Sequence, residues 1–491
     1  MIYYSKDVSD ANTVNWGQVQ AMARQQPAWL RGEERLHLRV LGSIRDFADG
    51  VINSSPARVA LLVFFSVILI FTALLSLPFA TRDGSGAPLH DALFTAVSAV
   101  CVVGLTVVST ATYWSFFGQL IILIGIFVGG LGTLTLASLL ALMVSKRLGV
   151  RGKLLAQSAL NNASRLGEVG TLLRIVITTS VVVEIVLALM LIPRFMVLGE
   201  PFWQAVWHGV FYSISAFNNA GFTPHSDGLV PYETDLWILT PIMLGVFIGS
   251  LGFPVILVLL QYRHHVRKWS LHTKLTINVS LILLVAGAFM WAVLEWANSR
   301  TIGDMSVSDK IIHALFASVM TRSGGFNLVD QGQMDTTTML LTDALMFAGG
   351  GSASTAGGIK VTTLAIMFLA ILAEGRGDSD VRVYGRTIPP GAMRVAISVI
   401  FMGATLVLVG SGLILWITGE ELNRVVFEVI SAFATCGLST NLSAELPPEG
   451  KYVLSILMFA GRMGTITLAS ALALRQRSTL YHYPEERPII G

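Results

Sequence analysis

Residues 211–221 read FYSISAFNNAG. An apolar start, a small polar middle and a final glycine occupy eleven residues, about half of the ~20 needed to cross a hydrocarbon core as a helix. Three further stretches align with it without a gap: FTAVSAVCVVG at 94–104, LFASVMTRSGG at 315–325 and FEVISAFATCG at 427–437. A large apolar residue follows each glycine: Leu105, Phe222, Phe326 and Leu438. Glycine is common in this chain, at 46 of 491 residues, so one match alone carries little. Four matches spaced by about 110 residues define an internal repeat, and such a repeat sets the architecture.

The repeat lies in a membrane protein. The chain is 53% hydrophobic and 13% charged, with a mean hydropathy of +0.68, whereas soluble domains carry about 25% charged residues. Apolar runs of spanning length fall at 57–80, 115–145, 171–198, 236–262, 272–297, 337–373, 393–418 and 452–474. Each glycine stretch sits between two of them, too short to span and therefore re-entrant. The expected fold is an all-α integral membrane protein: four parallel repeats of span, pore loop, span, with eight transmembrane helices around a pseudo-fourfold pore. The divisions are a cytoplasmic tail 1–56, repeats 57–147, 168–265, 270–376 and 390–476, and a cytoplasmic tail 477–491. Lys146, Arg147, Arg151, Lys153, Arg165, Arg263, Arg267, Lys268, Arg376, Arg382, Arg386, Arg475 and Arg477 follow the even-numbered spans, and five arginines precede or open the first. The opposite connections carry Asp227, Glu233, Asp330, Asp335 and Glu445. The positive-inside rule places both termini in the cytoplasm. The polar first 55 residues contain no apolar core of a cleavable signal. Two cysteines, Cys101 and Cys436, exclude a disulfide framework or a cysteine-rich metal site. The net charge of +3 says little about partners; no nucleic-acid partner is expected.

Irregular backbone at membrane depth is tolerated where it is buried in protein or lines a watery cavity. Glycine admits positive φ and lets adjacent carbonyls turn toward a common axis, where they can replace the hydration shell of a monovalent cation. A divalent ion would recruit carboxylates, and none stands in the triplets before the glycines. The expected selectivity filter comprises Val102, Val103 and Gly104; Asn218, Asn219, Ala220 and Gly221; Ser323, Gly324 and Gly325; and Thr435, Cys436 and Gly437. Potassium is the expected ion. Arg322 would repel it, so its side chain is expected behind the filter, tethering loop backbone or an acidic neighbour. The cysteines are read as small supporting residues.

These loops, with AFNNAGF (216–222), TRSGGF (321–326), STAGGIK (354–360) and YPEERPIIG (483–491), resemble the Trk/Ktr/HKT superfamily of potassium transporters, specifically its Ktr-type membrane subunits, over roughly 57–491. The resemblance implies a homodimer in a bacterial plasma membrane, with one pore per protomer. It also implies assembly with a separate cytosolic RCK-type nucleotide-binding regulatory subunit, no covalent cofactor, K⁺ as the transported ion and Na⁺ as a candidate activator. In plant relatives, serine in the first loop goes with sodium preference and glycine with potassium; Gly104 fits the latter.

The stretch 349–360, GGGSASTAGGIK, lies inside the sixth apolar run. A phosphate-binding G-x-x-x-x-G-K-[ST] fails because Ile359 precedes Lys360 and Val361 follows it. A continuous helix across that run would extend roughly 55 Å, and clustered glycines each cost about 1 kcal/mol in a helix. A broken helix with an irregular loop is therefore expected. The resembled family uses this segment as an intramembrane gate: Gly349, Gly350, Gly351, Ser352, Ser354, Thr355, Gly357, Gly358 and Lys360. Lys360 either charges the gate or snorkels to the cytoplasmic interface. GGLGTLTLAS (129–138) aligns with GRMGTITLAS (461–470), so Arg462 stands where its sibling repeat has Gly130. A charge there costs about 2.5–3.5 kcal/mol. It is expected to face inward and, by the resemblance, to bond the gate carbonyls; pairing with a buried carboxylate is the alternative. Glu184 and Asp343 read as structural partners or cavity-facing acids, and His208 and His313 as caps or interface residues opening two pore helices. No nucleophile–base pair emerges, so an enzyme is not expected. The rival function is a carboxylate-coupled secondary symporter for a solute, which would cluster acids at the midplane.

Overall fold

The computed structural model describes residues 56–132 and 169–464. Apart from one small hairpin, β1 (Arg382–Val383) with β2 (Arg386–Thr387), the regular structure there is helical. The first group is α1 (Pro56–Leu75), α2 (Leu89–Val100) and α3 (Phe116–Gly130). The second is α4 (Val169–Val197), α5 (Phe202–Phe217), α6 (Leu236–Leu251) and α7 (Phe253–Tyr262). The third is α8 (Leu271–Glu295), α9 (Val307–Met320), α10 (Thr336–Phe347) and α11 (Val361–Arg376). The fourth is α12 (Pro390–Thr418), α13 (Leu422–Ala434), α14 (Leu442–Glu445) and α15 (Pro448–Met463). Among the described residues, α4, α8 and α12 are each long and apolar enough to cross a membrane, and α6 with α7 would be a fourth crossing, bent by 99°.

Apolar character does not separate inside from outside here; helix length does. Phe401, Leu408 and Trp416 of the long α12 are exposed, as are Ile282, Val285 and Phe289 of α8. Continuous apolar faces of this kind mark membrane or partner surfaces. The short helices α2, α5, α9 and α13 are the interior: 427–434 of α13 and 94–100 of α2 are wholly buried. Serines hold the starts of the elements around them. Ser115, Ser270 and Ser306 accept the Gly118, Thr273 and Asp309 amides that open α3, α8 and α9, satisfying donors a helix start otherwise leaves unpaired.

Of the apolar runs 115–145, 236–262 and 452–474, the second is broken between α6 and α7, and the described parts of the first and third stop at 132 and 464. Gly132, Gly252 and Gly464 take φ of +87°, +94° and +77°, where α3, α6 and α15 end. Three residues upstream, Gly129, Gly249 and Gly461 lie against the carbonyls of Val100, Phe217 and Phe433. A Cβ on these glycines would sit 2.0, 1.9 and 1.8 Å from those oxygens. A G-x-x-G pair thus seats the backbone of the return helix on the end of the short helix and then ends it, with a described continuation as α7 after Gly252. The repeat seen at 129–138 and 461–470 is therefore also present at 249–252, masked there by Phe253 and Pro254. Gly461→Ala should lower the apparent Tm of the solubilised protein, because overpacking against fixed backbone costs about 1–3 kcal/mol. Gly412→Ala, where nothing lies within 4 Å, should leave it unchanged or raise it. Equal melting of the two variants would contradict this packing role. The basic segment 146–165 and the two tails lie outside the described residues.

Candidate functional site

The four short helices end at one place in the same way. Each is followed by a left-handed residue, one residue in an ordinary conformation, and a left-handed glycine. The pairs are Val102 (φ 55°) with Gly104 (98°), Asn219 (60°) with Gly221 (66°), Ser323 (82°) with Gly325 (72°) and Thr435 (51°) with Gly437 (92°). The left-handed region is costly for β-branched side chains such as Val102 and Thr435, and strain of this kind gathers at functional sites. The four glycines neighbour one another in cyclic order. A Cβ on Gly104 would meet the Gly221 Cα at 3.2 Å, and one on Gly221 the Gly325 Cα at 2.8 Å. One on Gly325 would meet the Gly437 Cα at 3.4 Å, and one on Gly437 the Gly104 Cα at 3.2 Å.

Sequence reading missed what braces these turns. Six residues before the glycine, repeats one, two and four carry Ser98, Ser215 and Ser431. Ser98 Oγ accepts from the Gly104 amide at 3.1 Å and Ser431 Oγ from the Gly437 amide at 3.0 Å, while Ser215 Oγ donates to the Phe222 carbonyl at 2.8 Å. The signal was present in the alignment, but Val319 interrupts it in repeat three, where Gly324 has no room for a Cβ beside Met320 and Val246. There Ser323 Oγ donates to the Thr435 carbonyl at 2.8 Å, and Cys436 Sγ donates to the Met320 and Thr321 carbonyls. Both cysteines are free and buried. Asn218 reaches backward, donating to Glu184 Oε1 at 2.8 Å. With its amide oriented to donate, Asn219 reaches the Ala216 and Val246 carbonyls.

Arg322 is buried, donates to the Ser280 carbonyl of α8 at 3.0 Å and lies over the Phe247 ring. It ties neighbouring spans to the site; its described partners are neither loop backbone nor an acid. Glu428 is fully buried and accepts from Ser439 Oγ, Thr440 N, Ser443 N and Ser443 Oγ, fixing the chain after Gly437. Asp343 is buried, and its Oδ1 has no partner among the described residues. Glu184 and Glu428 are thus spent on structure.

Residues 348–360 form the irregular break between α10 and α11, pinched at its base by a parallel bridge between Ala348 and Ile359. The loop is packed directly under the ring. Gly357 N donates to Thr435 Oγ1 at 2.9 Å, Thr355 Oγ1 to the Phe217 carbonyl at 3.3 Å, and Gly358 N to the Gly461 carbonyl at 3.3 Å. Gly351 N donates to the Ser250 carbonyl at 2.7 Å, beside the α6–α7 break. Ser352 Oγ and Thr362 Oγ1 are 3.1 Å apart, and Ser354 Oγ donates to the Gly351 carbonyl at 2.7 Å. Gly349 and Gly350 have no space for a Cβ against the Gly357 carbonyl and Ala356. Two cations pin three consecutive carbonyls: Arg462 Nη1 donates to Thr355, and Lys360 Nζ to Ala356 at 2.6 Å and Gly357 at 3.2 Å. Lys360 therefore curls into its own loop and does not snorkel. Arg462 also donates to the Gly129 carbonyl at 2.5 Å, and no buried carboxylate is among its described partners.

One ion pair joins the first and fourth groups. Lys451 Nζ of α15 lies 2.7 Å from Asp91 Oδ1 of α2, both mostly buried. Breaking such a pair from one side costs about 3–5 kcal/mol, so Asp91→Ala should destabilise the solubilised protein strongly. Asp91→Ala with Lys451→Met should recover most of that loss; a double variant no better than the single one would mean that the pair is not the source.

These features define a helical membrane protein with four glycine turns converging on the irregular loop between α10 and α11. The family model described as "TrkH: Cation transport protein" matches residues 54–480, and the chain belongs to that family. The Ktr system potassium uptake protein B of Bacillus subtilis (strain 168) is 34% identical over 443 residues, covering 90% of this chain and 98% of the relative. The protein of the same name from Vibrio alginolyticus is 35% identical over 450 residues, covering 91% and 96%. The potassium/sodium uptake protein NtpJ of Enterococcus hirae is 33% identical, covering 89% and 97%. The crystal structure of the potassium transporter TrkH from Vibrio parahaemolyticus has the same fold, with a TM-score of 0.63, 20% identity and 84% of each chain covered.

Proposed function

We propose that this chain is the ion-translocating membrane subunit of a bacterial potassium uptake system. K⁺ passes through the ring of Gly104, Gly221, Gly325 and Gly437, with backbone carbonyls replacing its water. The observation that carries the reading is the fourfold recurrence of the left-handed residue and left-handed glycine in cyclic contact. Four parallel repeats and eight transmembrane helices surround that ring, with both termini cytoplasmic. Val102, Val103, Asn218, Asn219, Ala220, Ser323, Gly324, Thr435 and Cys436 supply the filter backbone, and Arg322 supports it from behind. The loop 349–360 is the gate and Arg462 its latch.

The relatives' names carry potassium and, for one of them, sodium; K⁺ as cargo and Na⁺ as activator are proposed here on that basis. A Ktr system named for its relatives supports a separate cytosolic nucleotide-binding regulator, and the homodimer is proposed with it. The carboxylates that a proton- or sodium-coupled symporter would need are largely occupied: Glu184 is held by Asn218 and Glu428 by the loop after Gly437. The test is uptake of ⁸⁶Rb⁺ into proteoliposomes holding the purified protein. Uptake should be displaced by K⁺ far better than by Na⁺ or Li⁺, with no requirement for a proton gradient. Equal displacement by all three ions would overturn the filter.

A further inference from the structure

Outside the ring, Glu200, His208 and His225 converge beside the second short helix. Among the described residues they are the one group of three His, Cys, Asp or Glu side chains whose ligand atoms all lie within 4.8 Å of one another. His208 Nδ1 is 2.7 Å from Glu200 Oε2, His225 Nε2 is 3.2 Å from Glu200 Oε1, and the two imidazole centroids are 4.1 Å apart. The three come from different places: Glu200 from the turn before α5, His208 from half-way along α5, and His225 four residues after Gly221. We propose that they form a site for a transition-metal dication of the Zn²⁺ class, fastening the segment after Gly221 to the helix that presents it.

The donor chemistry fits that ion class. Two imidazoles and one carboxylate leave a fourth position open, a set borderline dications favour. Bonds of about 2.0–2.1 Å need ligand–ligand edges of about 3.4 Å, within small rotamer adjustments of the spacing seen. The surroundings orient the ligands. Tyr212 Oη lies 2.9 Å from His225 Nδ1 and 3.2 Å from the Gly228 carbonyl. A hydroxyl that donates to that carbonyl accepts from Nδ1–H, which leaves the Nε2 lone pair aimed at Glu200. That lone pair and the carboxylate offer two donor atoms to one cation, and an outer partner such as Tyr212 fixes the tautomer of a metal-binding histidine. Tyr232 Oη lies 3.3 Å from His225 Nε2. Phe195 is fully buried and stacks on Tyr212, its ring 6.1 Å from His208 and 5.8 Å from His225. The result is an apolar floor beneath a polar set whose side chains remain 8–19% exposed.

Co²⁺ added to the metal-free full-length protein in nanodiscs reads the site by its visible d–d absorption, and Zn²⁺ should bleach the band. The wild type should bind one equivalent at this site. His208→Gln, His225→Gln and Glu200→Gln should each weaken binding at least tenfold, and Tyr212→Phe should weaken it roughly tenfold through the lost outer contact. His264→Gln/His265→Gln, a stacked pair elsewhere, should change nothing. His208→Cys is expected to keep the ion and to add a thiolate-to-Co²⁺ charge-transfer band, a gain that misfolding cannot mimic. If the wild type takes up no Co²⁺, or the glutamine variants keep the wild-type band, the trio is a hydrogen-bond network only. This readout does not depend on ion transport, so its failure leaves the proposed conduction untouched.

Discussion

Gly437→Ala is expected to abolish potassium uptake in a protein that still reaches the membrane. Gly437 holds φ at +92°, and a Cβ there would lie 2.2 Å from the Val103 carbonyl and 3.1–3.2 Å from the Gly325 and Gly104 Cα atoms. Left-handed strain costs about 1–3 kcal/mol, and overpacking against backbone a further ~1–3 kcal/mol. Because ~1.4 kcal/mol is tenfold, the population holding the intact ring should fall by roughly thirtyfold to twenty-thousandfold. No flexible side-chain end lies in the way; every atom met is main chain of another repeat. Gly104→Ser and Gly221→Ser should follow the same course, since their Cβ atoms would meet the Ala220 carbonyl at 2.4 Å and the Gly325 Cα at 2.8 Å. The measurement is growth of an uptake-deficient strain on low potassium, with ⁸⁶Rb⁺ uptake normalised to membrane protein. Wild-type growth of all three variants would remove the ring from the conduction path.

Arg462→Ala should act in the opposite direction, raising basal flux. Its guanidinium holds the Thr355 carbonyl of the loop and the Gly129 carbonyl of α3 together. Hydrogen bonds from a charged group contribute about 1.5–3 kcal/mol each. Losing the one to Thr355 should therefore shift the balance between seated and withdrawn loop by roughly tenfold or more. Lys360 keeps its own bonds to Ala356 and Gly357, so the loop loses one latch and retains its local shape. ⁸⁶Rb⁺ efflux from loaded proteoliposomes without any regulatory subunit reads this directly. Unchanged efflux at equal incorporation would assign Arg462 to folding alone. Flux falling in the first set and rising in the second cannot arise from general destabilisation.

The repeat was legible in the sequence because it rests on residue chemistry that does not depend on distant partners. A run of apolar residues has to match bilayer thickness, and a glycine ends each short helix where φ is positive. The break in the sixth span was legible for the same reason: a helix cannot carry that density of glycine. Other features were hidden because a neighbouring repeat imposes them. Val102 and Thr435 are residue types that disfavour the left-handed region, so nothing local announces that they enter it. Gly249 looks like any span glycine until the Phe217 carbonyl lies against it. Local sequence offers Arg322 only loop backbone or an acid to tether, yet it meets Ser280, 42 residues away, because α8 presents a carbonyl at that depth. Lys360 had two destinations, the lipid interface or the gate, and the carbonyls of its own loop were nearer. The lack of bulk in 349–360 also gained a static reason: Gly349, Gly350 and Gly351 pack against backbone and small side chains with no space for a Cβ.

By itself the sequence determined a membrane protein, four equivalent glycine-ended short segments and one broken apolar run, since hydrophobic length and backbone φ are local properties. The tertiary structure alone decided that the four glycines touch in a ring, that the broken span lies beneath it, and that Arg462 and Lys360 divide its carbonyls between them. Apart from the local bonds of Lys360, those are distances between segments roughly a hundred residues or more apart, and packing sets them.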